Sequence, residues 1–187
     1  MASTSADVQI VSTRLPGVVI IEPVVHRDGR GFLVETFHAE RYRRHGIEGP
    51  FVQDNHSRSA GATLRGLHLQ HPHGQGKLIR VVEGVIFDVA VDVRRGSPTF
   101  GRWEGARLSS ESKNMLWIPV GFAHGFFVLS DFAEVIYKTT DFYAPEHERC
   151  ILWSDPQIGI EWPVSGAPLV SAKDAAGVRL RDAEVFP

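Results

Sequence analysis

An all-β antiparallel sandwich or barrel is the fold class that this sequence predicts, and three observations carry it. Apolar runs are short and repeatedly cut by glycine and proline, which number 18 and 11. Helix-period signals are weak throughout. The segment 84–93 alternates with a period of two: Val85, Phe87, Val89, Val91 and Val93 point one way, and Ile86, Asp88, Ala90 and Asp92 the other. The first face reads as core. The second is mixed, as suits the inner wall of a barrel that holds a polar ligand.

In chain order, strands are expected at 18–25 (VVIIEPVV) and 31–37 (GFLVETF). A single surface helix follows at 38–45 (HAERYRRH), ended by Gly46. Further strands are expected at 62–70, 77–83, 84–93, 103–108, 115–118, 124–129, 132–138 and 149–153. Short turns fall at 109–114 and 172–176. Strands of this length and spacing favour an antiparallel barrel over βαβ units. No repeat, low-complexity stretch or linker divides the chain, so its 187 residues read as one domain.

Composition narrows the function classes. Hydrophobic residues make up 43% and charged residues 22%, as in an ordinary globular fold. The net charge of −2 offers no global basic field, so nucleic acid is not an expected partner. The lone Cys150 cannot form an internal disulfide, which suits a reducing cytoplasm. The opening MASTSADVQI has no basic and apolar signal pattern, and no apolar run is long enough for a membrane helix.

Polar residues crowd the middle of the chain, at 53–59 (QDNHSRS), 64–77 (LRGLHLQHPHGQGK), 118–126 (IPVGFAHGF) and 135–143 (VIYKTTDFY). A closed barrel could bring all four to one cavity. The third contains Pro119, Gly121 and His124, the P-x-G-x-x-H core of the second cupin motif: a tight turn and then a strand that starts with an inward histidine. With the strand pattern, this makes a cupin-type jelly roll (a double-stranded β-helix barrel with a few short peripheral helices) the expected fold.

Two chemistries fit such a barrel. A metal centre would draw on His68, His71, His73 and His124, but Pro72 and Gly74 put the H-x-H pair in a loop. No acidic ligand follows in 74–82, and Lys77 would repel a cation. Acid–base chemistry without a metal is the better match. It needs a base, an acid and a cation where negative charge develops, and His68, Tyr137 and Lys77 supply them. An unperturbed histidine titrates near ~6.5 and a tyrosine near ~10, so at neutral pH one accepts a proton while the other donates. A carboxylate would hold the imidazole in one tautomer; Asp88 and Asp174 are both candidates.

The motifs DGRGFLVETF, FVQDNHSRS, LRGLHLQ, QGKLIRVVEGVIFDVAVDVRRGSPTFGRW, LWIPVGFAHGFFVLS, YKTTDFYAPEHE, LWSDPQIGIEWP and SAKDAA span residues 28 to 176. Together they resemble the dTDP-4-dehydrorhamnose 3,5-epimerase family. The resemblance implies a cofactor-independent sugar-nucleotide epimerase, with no metal, working as a homodimer on a dTDP-4-keto-6-deoxysugar. It implies His68 as base, Asp174 as its carboxylate partner, Tyr137 as acid and Lys77 as the cation for an enolate oxygen. Arg65 would hold the pyrophosphate, its forked guanidinium suiting that group. Arg30, Glu35, Gln53 and Asn55 match nucleotide- or sugar-contacting positions. Tyr143 matches an aromatic that stacks on thymine, and His124 and Asp88 lie on pocket strands. The region around 18–37 is expected to be shared with a neighbouring subunit. Leu69 and His26 depart from the family pattern, which has aromatics there, without touching the base, acid or lysine.

Strand parity sets a test. On a regular strand His68 shares a face with Gly66, whereas Arg65 points to the other side. Both can line one pocket only through a backbone irregularity at Gly66. Simpler roles are expected elsewhere: Asp92 bonding barrel backbone or arginine, Arg43 and Arg44 on a solvated helix face, and Trp103, Trp117, Trp153 and Trp162 in packing. Three rival functions stay open: a monoepimerase at C3 or C5, a metal-dependent cupin, and a non-catalytic sugar-nucleotide-binding cupin.

Overall fold

The computed structural model describes residues 8–187; the part of the signal-segment reading that rests on residues 1–7 lies outside the described residues. Thirteen strands run in order: β1 (Gln9–Ser12), β2 (Val19–Glu22), β3 (Val25–Asp28), β4 (Gly31–Val34), β5 (Gln53–Ala60), β6 (Leu64–Gln70), β7 (Lys77–Glu83), β8 (Val85–Asp92), β9 (Trp103–Ser109), β10 (Met115–Ile118), β11 (Phe122–Val128), β12 (Phe132–Thr139) and β13 (Glu148–Cys150). Two short helices, α1 (Ala39–Arg43) and α2 (Ala172–Ala175), complete the regular structure with two 3-10 turns. None of these helices is long and apolar enough to cross a membrane.

The strands form a six-stranded sheet (β1-β2-β10-β7-β12-β5), a five-stranded sheet (β13-β6-β11-β8-β9) and a separate β3–β4 hairpin. All their pairings are antiparallel. The all-β jelly-roll expectation holds. Between the two main sheets lies an apolar layer that includes Ile79, Val81, Ile86, Ala90, Leu116, Ile118, Phe122, Phe126 and Val135. Each of the larger side chains, when fully removed from water, contributes roughly 2 kcal/mol. The two faces of β8 both bury. Ile86 and Ala90 join the layer between the sheets, while Val89, Val91 and Val93 pack outward beneath the C-terminal segment around Leu180 and Val185.

Differences from the sequence expectations have local causes. The expected strand 18–25 is two strands, because Pro23 has no N–H to offer a ladder and fixes its own φ. The chain breaks there and starts the β3–β4 hairpin. β1 was not expected. Nor was β5, whose burial alternates but whose inward residues are Gln53, Asn55, Ser57 and Ser59. A strand that turns polar groups inward offers no apolar alternation to read.

Asp92 takes the structural role expected of it. Burial pushes its carboxyl upward, but bonds from Arg94, Ser97 and Thr99 outweigh that and hold it near about 2. Arg43 and Arg44 are exposed. Trp117 is buried, Trp103 and Trp162 pack on the outer cluster, and the Trp162 indole donates to the Trp153 carbonyl.

Candidate active site

A cavity of about 290 Å³ opens between the two main sheets, and each sheet supplies one wall. The six-stranded sheet contributes Lys77 from β7, Tyr137 from β12, and Gln53 and Asn55 from β5. The five-stranded sheet contributes Arg65 and His68 from β6, and His124 from β11. These strands pair directly: Tyr137 stands opposite Asn55 and Ile79, and His68 opposite His124 and Cys150. These side chains are thus bedded on ladders rather than on loops, which fixes their aim.

Arg65 and His68 do line one cavity, and the irregularity that this requires is present. Gly66 has φ near +116°, a region open to glycine, and the β6–β11 register shifts between His124 and Phe126. The backbones approach closely at this point. A Cβ on Gly66 would lie 2.6 Å from the Cα of Gly125.

His68 Nε2 lies 2.6 Å from Asp174 Oδ1, so Asp174, and not Asp88, orients it. Asp174 sits in α2, capped by Ser171, whose hydroxyl accepts from the Asp174 N–H at 3.1 Å. Burial tends to raise its carboxyl. The bond and charge of His68, with help from Ser171 and the Gly66 backbone, outweigh this and keep it below the usual carboxylate range. An ionised carboxylate only accepts, so Nε2 carries the hydrogen and Nδ1 is left as the basic nitrogen.

A second pair, His124 Nε2 with Asp88 Oδ1 at 2.7 Å, is buried on the same wall. Asp88 Oδ2 is enclosed without a partner among the described residues, and its charge reaches Lys77 across the cavity. Burial lowers Lys77 from 10.5 to about 8, with Glu148 and Asp88 pulling the other way. On the same wall, Tyr137 is shifted upward by burial, so its phenol holds its proton at neutral pH.

Five lining residues, Ser57, Gln75, Phe126, Glu148 and Lys173, were missed by the sequence reading, and the last two are charged. Glu148 and Lys173 pair at 2.8 Å, and Glu148 also accepts from the Tyr143 hydroxyl at 2.9 Å. YAPEHE and SAKDAA contain them, but nothing in either motif marks a charge pair formed across 25 residues of chain. Tyr143 lines the cavity and is half exposed.

Arg30 and Glu35 do not line this cavity. Arg30 forks onto Asp28 within the exposed hairpin, and Glu35 pairs with Arg41. His71 and His73 lie on the loop after β6, as expected, and do not converge with His68. Among the described residues, the group with metal-ligand spacing is His68, Cys150 and Asp174.

A sequence model described as dTDP-4-dehydrorhamnose 3,5-epimerase matches residues 12–182. The chain is 57% identical over 179 residues to the dTDP-4-dehydrorhamnose 3,5-epimerase of Pseudomonas aeruginosa, covering 94% of this chain and 99% of the relative. The crystal structure of a Legionella pneumophila 3,5-epimerase bound to dTDP-4-keto-L-rhamnose superposes with a TM-score of 0.93 at 50% identity, covering 95% of each chain. A 3′-monoepimerase from Streptomyces bikiniensis bound to dTDP-quinovose superposes at 0.85 with 37% identity, over 90% of this chain and 86% of that one.

Proposed function

This chain belongs to the dTDP-4-dehydrorhamnose 3,5-epimerase family, and from that premise we propose how its own residues perform the reaction. The enzyme is an isomerase that converts dTDP-4-dehydro-6-deoxy-D-glucose to dTDP-4-dehydro-L-rhamnose. The C4 carbonyl acidifies the hydrogens on C3 and C5. His68 Nδ1 removes one, and the electrons pass to O4 as an enolate. Asp174 stabilises the resulting imidazolium without taking its proton. The Lys77 ammonium answers the O4 charge from a fixed place on the cavity wall, where a preorganised cation needs no reorganisation as the charge develops. Tyr137 then donates its phenolic proton to the opposite face of the carbon, which inverts it. The imidazolium then releases its proton to solvent and the phenolate regains one from solvent, and repetition at the other carbon completes the conversion.

The observation that carries this reading is the placement of base and acid on opposite walls of one cavity, His68 on the five-stranded sheet and Tyr137 on the six-stranded sheet. Inversion requires donor and acceptor on opposite faces of the ring. At the anionic end, Arg65 takes the diphosphate with its fork, supported by Lys173. Gln53, Asn55 and His124 hold the sugar, with Asp88 orienting His124, and Tyr143 offers a face to the thymine.

A cavity of about 290 Å³ holds the sugar but not the whole nucleotide. Arg30 and Glu35 complete the nucleotide end from the hairpin of a second copy. Support for this homodimer comes from strand β4 of the hairpin, where Phe32 is 53% and Leu33 72% exposed. We further place the enzyme, as one domain, in the cytoplasm, where the lone Cys150 stays reduced.

The test is incubation with dTDP-4-dehydro-6-deoxyglucose in D₂O, followed by NMR of the sugar protons. Exchange and inversion at both C3 and C5 is the expected result. Exchange at one carbon reassigns the chain to the monoepimerases, and no exchange in folded protein rejects the mechanism.

A further inference from the structure

The proton-abstraction reading leaves one nucleophilic group unused. Cys150 stands opposite His68 in the β13–β6 pairing, and its Sγ lies 3.8 Å from the same Asp174 oxygen that binds the imidazole. Ligand atoms of His68, Cys150 and Asp174 all lie within 4.8 Å of one another. A thiol, an imidazole and a carboxylate form a donor set that suits a tetrahedral soft cation such as Zn²⁺, with water in the fourth place. Metal–ligand bonds of about 2.0–2.3 Å put tetrahedral donors roughly 3.5 Å apart. The 3.8 Å pair already fits, and the 2.6 Å pair needs to open by about 1 Å.

There is also a way in. A second cavity, of about 520 Å³, is lined by His68, Asp174, Ser171 and Lys173, and reaches the pair from the side of α2. Two cationic side chains, Arg65 and Lys173, also line this cavity; the Lys173 ammonium is engaged by Glu148 at 2.8 Å, and the Arg65 guanidinium is turned to the Ser59 hydroxyl at 2.9 Å.

We propose that His68, Cys150 and Asp174 form a binding site for a thiophilic divalent cation, which silences the enzyme by exchanging the tautomer of His68. The cation takes Nε2, Oδ1 and Sγ. The hydrogen on Nε2 moves to Nδ1, and the thiol proton leaves to solvent, so one proton is released per ion bound. Nδ1 then presents an N–H to the sugar and can no longer accept from it. Free Cys150 is a poor nucleophile, since burial and the Asp174 charge push its thiol up to about 11. A metal ion displaces that proton where an ordinary oxidant or alkylating agent meets only the thiol. The site is therefore inhibitory, distinct from the cofactor centre of a metal-dependent cupin.

The silencing step rests on His68 as base, so the test separates site from role. EDTA-treated full-length protein is titrated with Cd²⁺ and followed by thiolate-to-metal charge-transfer absorbance in the ultraviolet. In parallel, deuterium exchange into the sugar nucleotide is measured with free Cd²⁺ buffered. One ion per chain, a charge-transfer band and loss of exchange are expected together. Cys150→Ala removes the band, keeps exchange in the absence of metal, and raises the half-inhibiting Cd²⁺ concentration roughly tenfold or more. Cys150→Ser, which preserves the side-chain shape and drops the soft donor, does the same. No band, or an unchanged half-inhibiting concentration in both variants, overturns the site. A Cys150-dependent band with exchange still running upholds the site and overturns His68 as the base.

Discussion

The cavity walls and the β3–β4 hairpin carry residues of similar charge in opposite settings. On the walls, His68, Lys77 and Tyr137 are bedded on paired strands, and burial acts on the titration of the lysine and tyrosine. On the hairpin, Arg30 is spent on its own neighbour Asp28, two residues away, and Phe32 and Leu33 are exposed. An exposed pair of that kind is worth little. The contrast teaches that the cavity residues are held in place by one chain's paired strands, whereas the hairpin leaves its charges paired with each other and its apolar side chains at the surface.

The largest effects belong to the walls. His68→Asn or Tyr137→Phe lowers kcat by roughly 10²–10⁴ with the fold retained, as read by deuterium exchange. A hairpin variant that costs as much would break the division. Gly66→Ala comes next. The added Cβ meets backbone at 2.6 Å and a positive φ, so roughly 1–3 kcal/mol of stability goes with the shared aim of Arg65 and His68. Thermal unfolding and exchange should both fall; an active, stable Gly66→Ala protein would show that the irregularity does not set the site.

Third is a pH signature of Lys77, whose proton is lost near about 8 in the folded chain against 10.5 ordinarily. Above about pH 8 the enolate loses its cation, and turnover falls about tenfold for each further pH unit that lysine titration governs. Stability moves the other way. Between about 8 and 10.5 the unfolded chain binds a proton that the folded one has released, so this group's contribution to stability rises with pH. Lys77→Met should abolish both trends. The smallest effect is on the hairpin: Arg30→Ala raises KM roughly tenfold, about 1.4 kcal/mol, with kcat little changed. Mixing Arg30→Ala with His68→Asn protomers should rebuild some unimpaired sites if two chains share each one.

What could be read from the sequence follows the same divide. Strands 115–118 and 77–83 were legible to the residue because their apolar runs end at turn-forming residues. That His68, Lys77 and Tyr137 share one cavity, with Asp174 on His68, was legible because acid–base chemistry admits few side chains and a family pattern places them. The irregularity at Gly66 followed from parity once the family pattern had put Arg65 and His68 in one pocket. β5 was hidden, since its inward face lines a polar cavity and thus lacks the apolar period. Glu148 and Lys173 were hidden because their pairing depends on how β13 and α2 meet, a tertiary fact that local spacing does not encode.

Gly66 and Gly125 face one another where β6 and β11 nearly touch. A Cβ on Gly125 would meet the Arg65 carbonyl at 2.7 Å, just as one on Gly66 meets Gly125. Most crowded positions in a core can be rescued by shrinking the neighbour. Here the neighbour is already the smallest residue available. A substitution at either glycine therefore has no compensating partner across the gap, and any search for altered specificity in this scaffold must leave that crossing alone and work through the cavity rim.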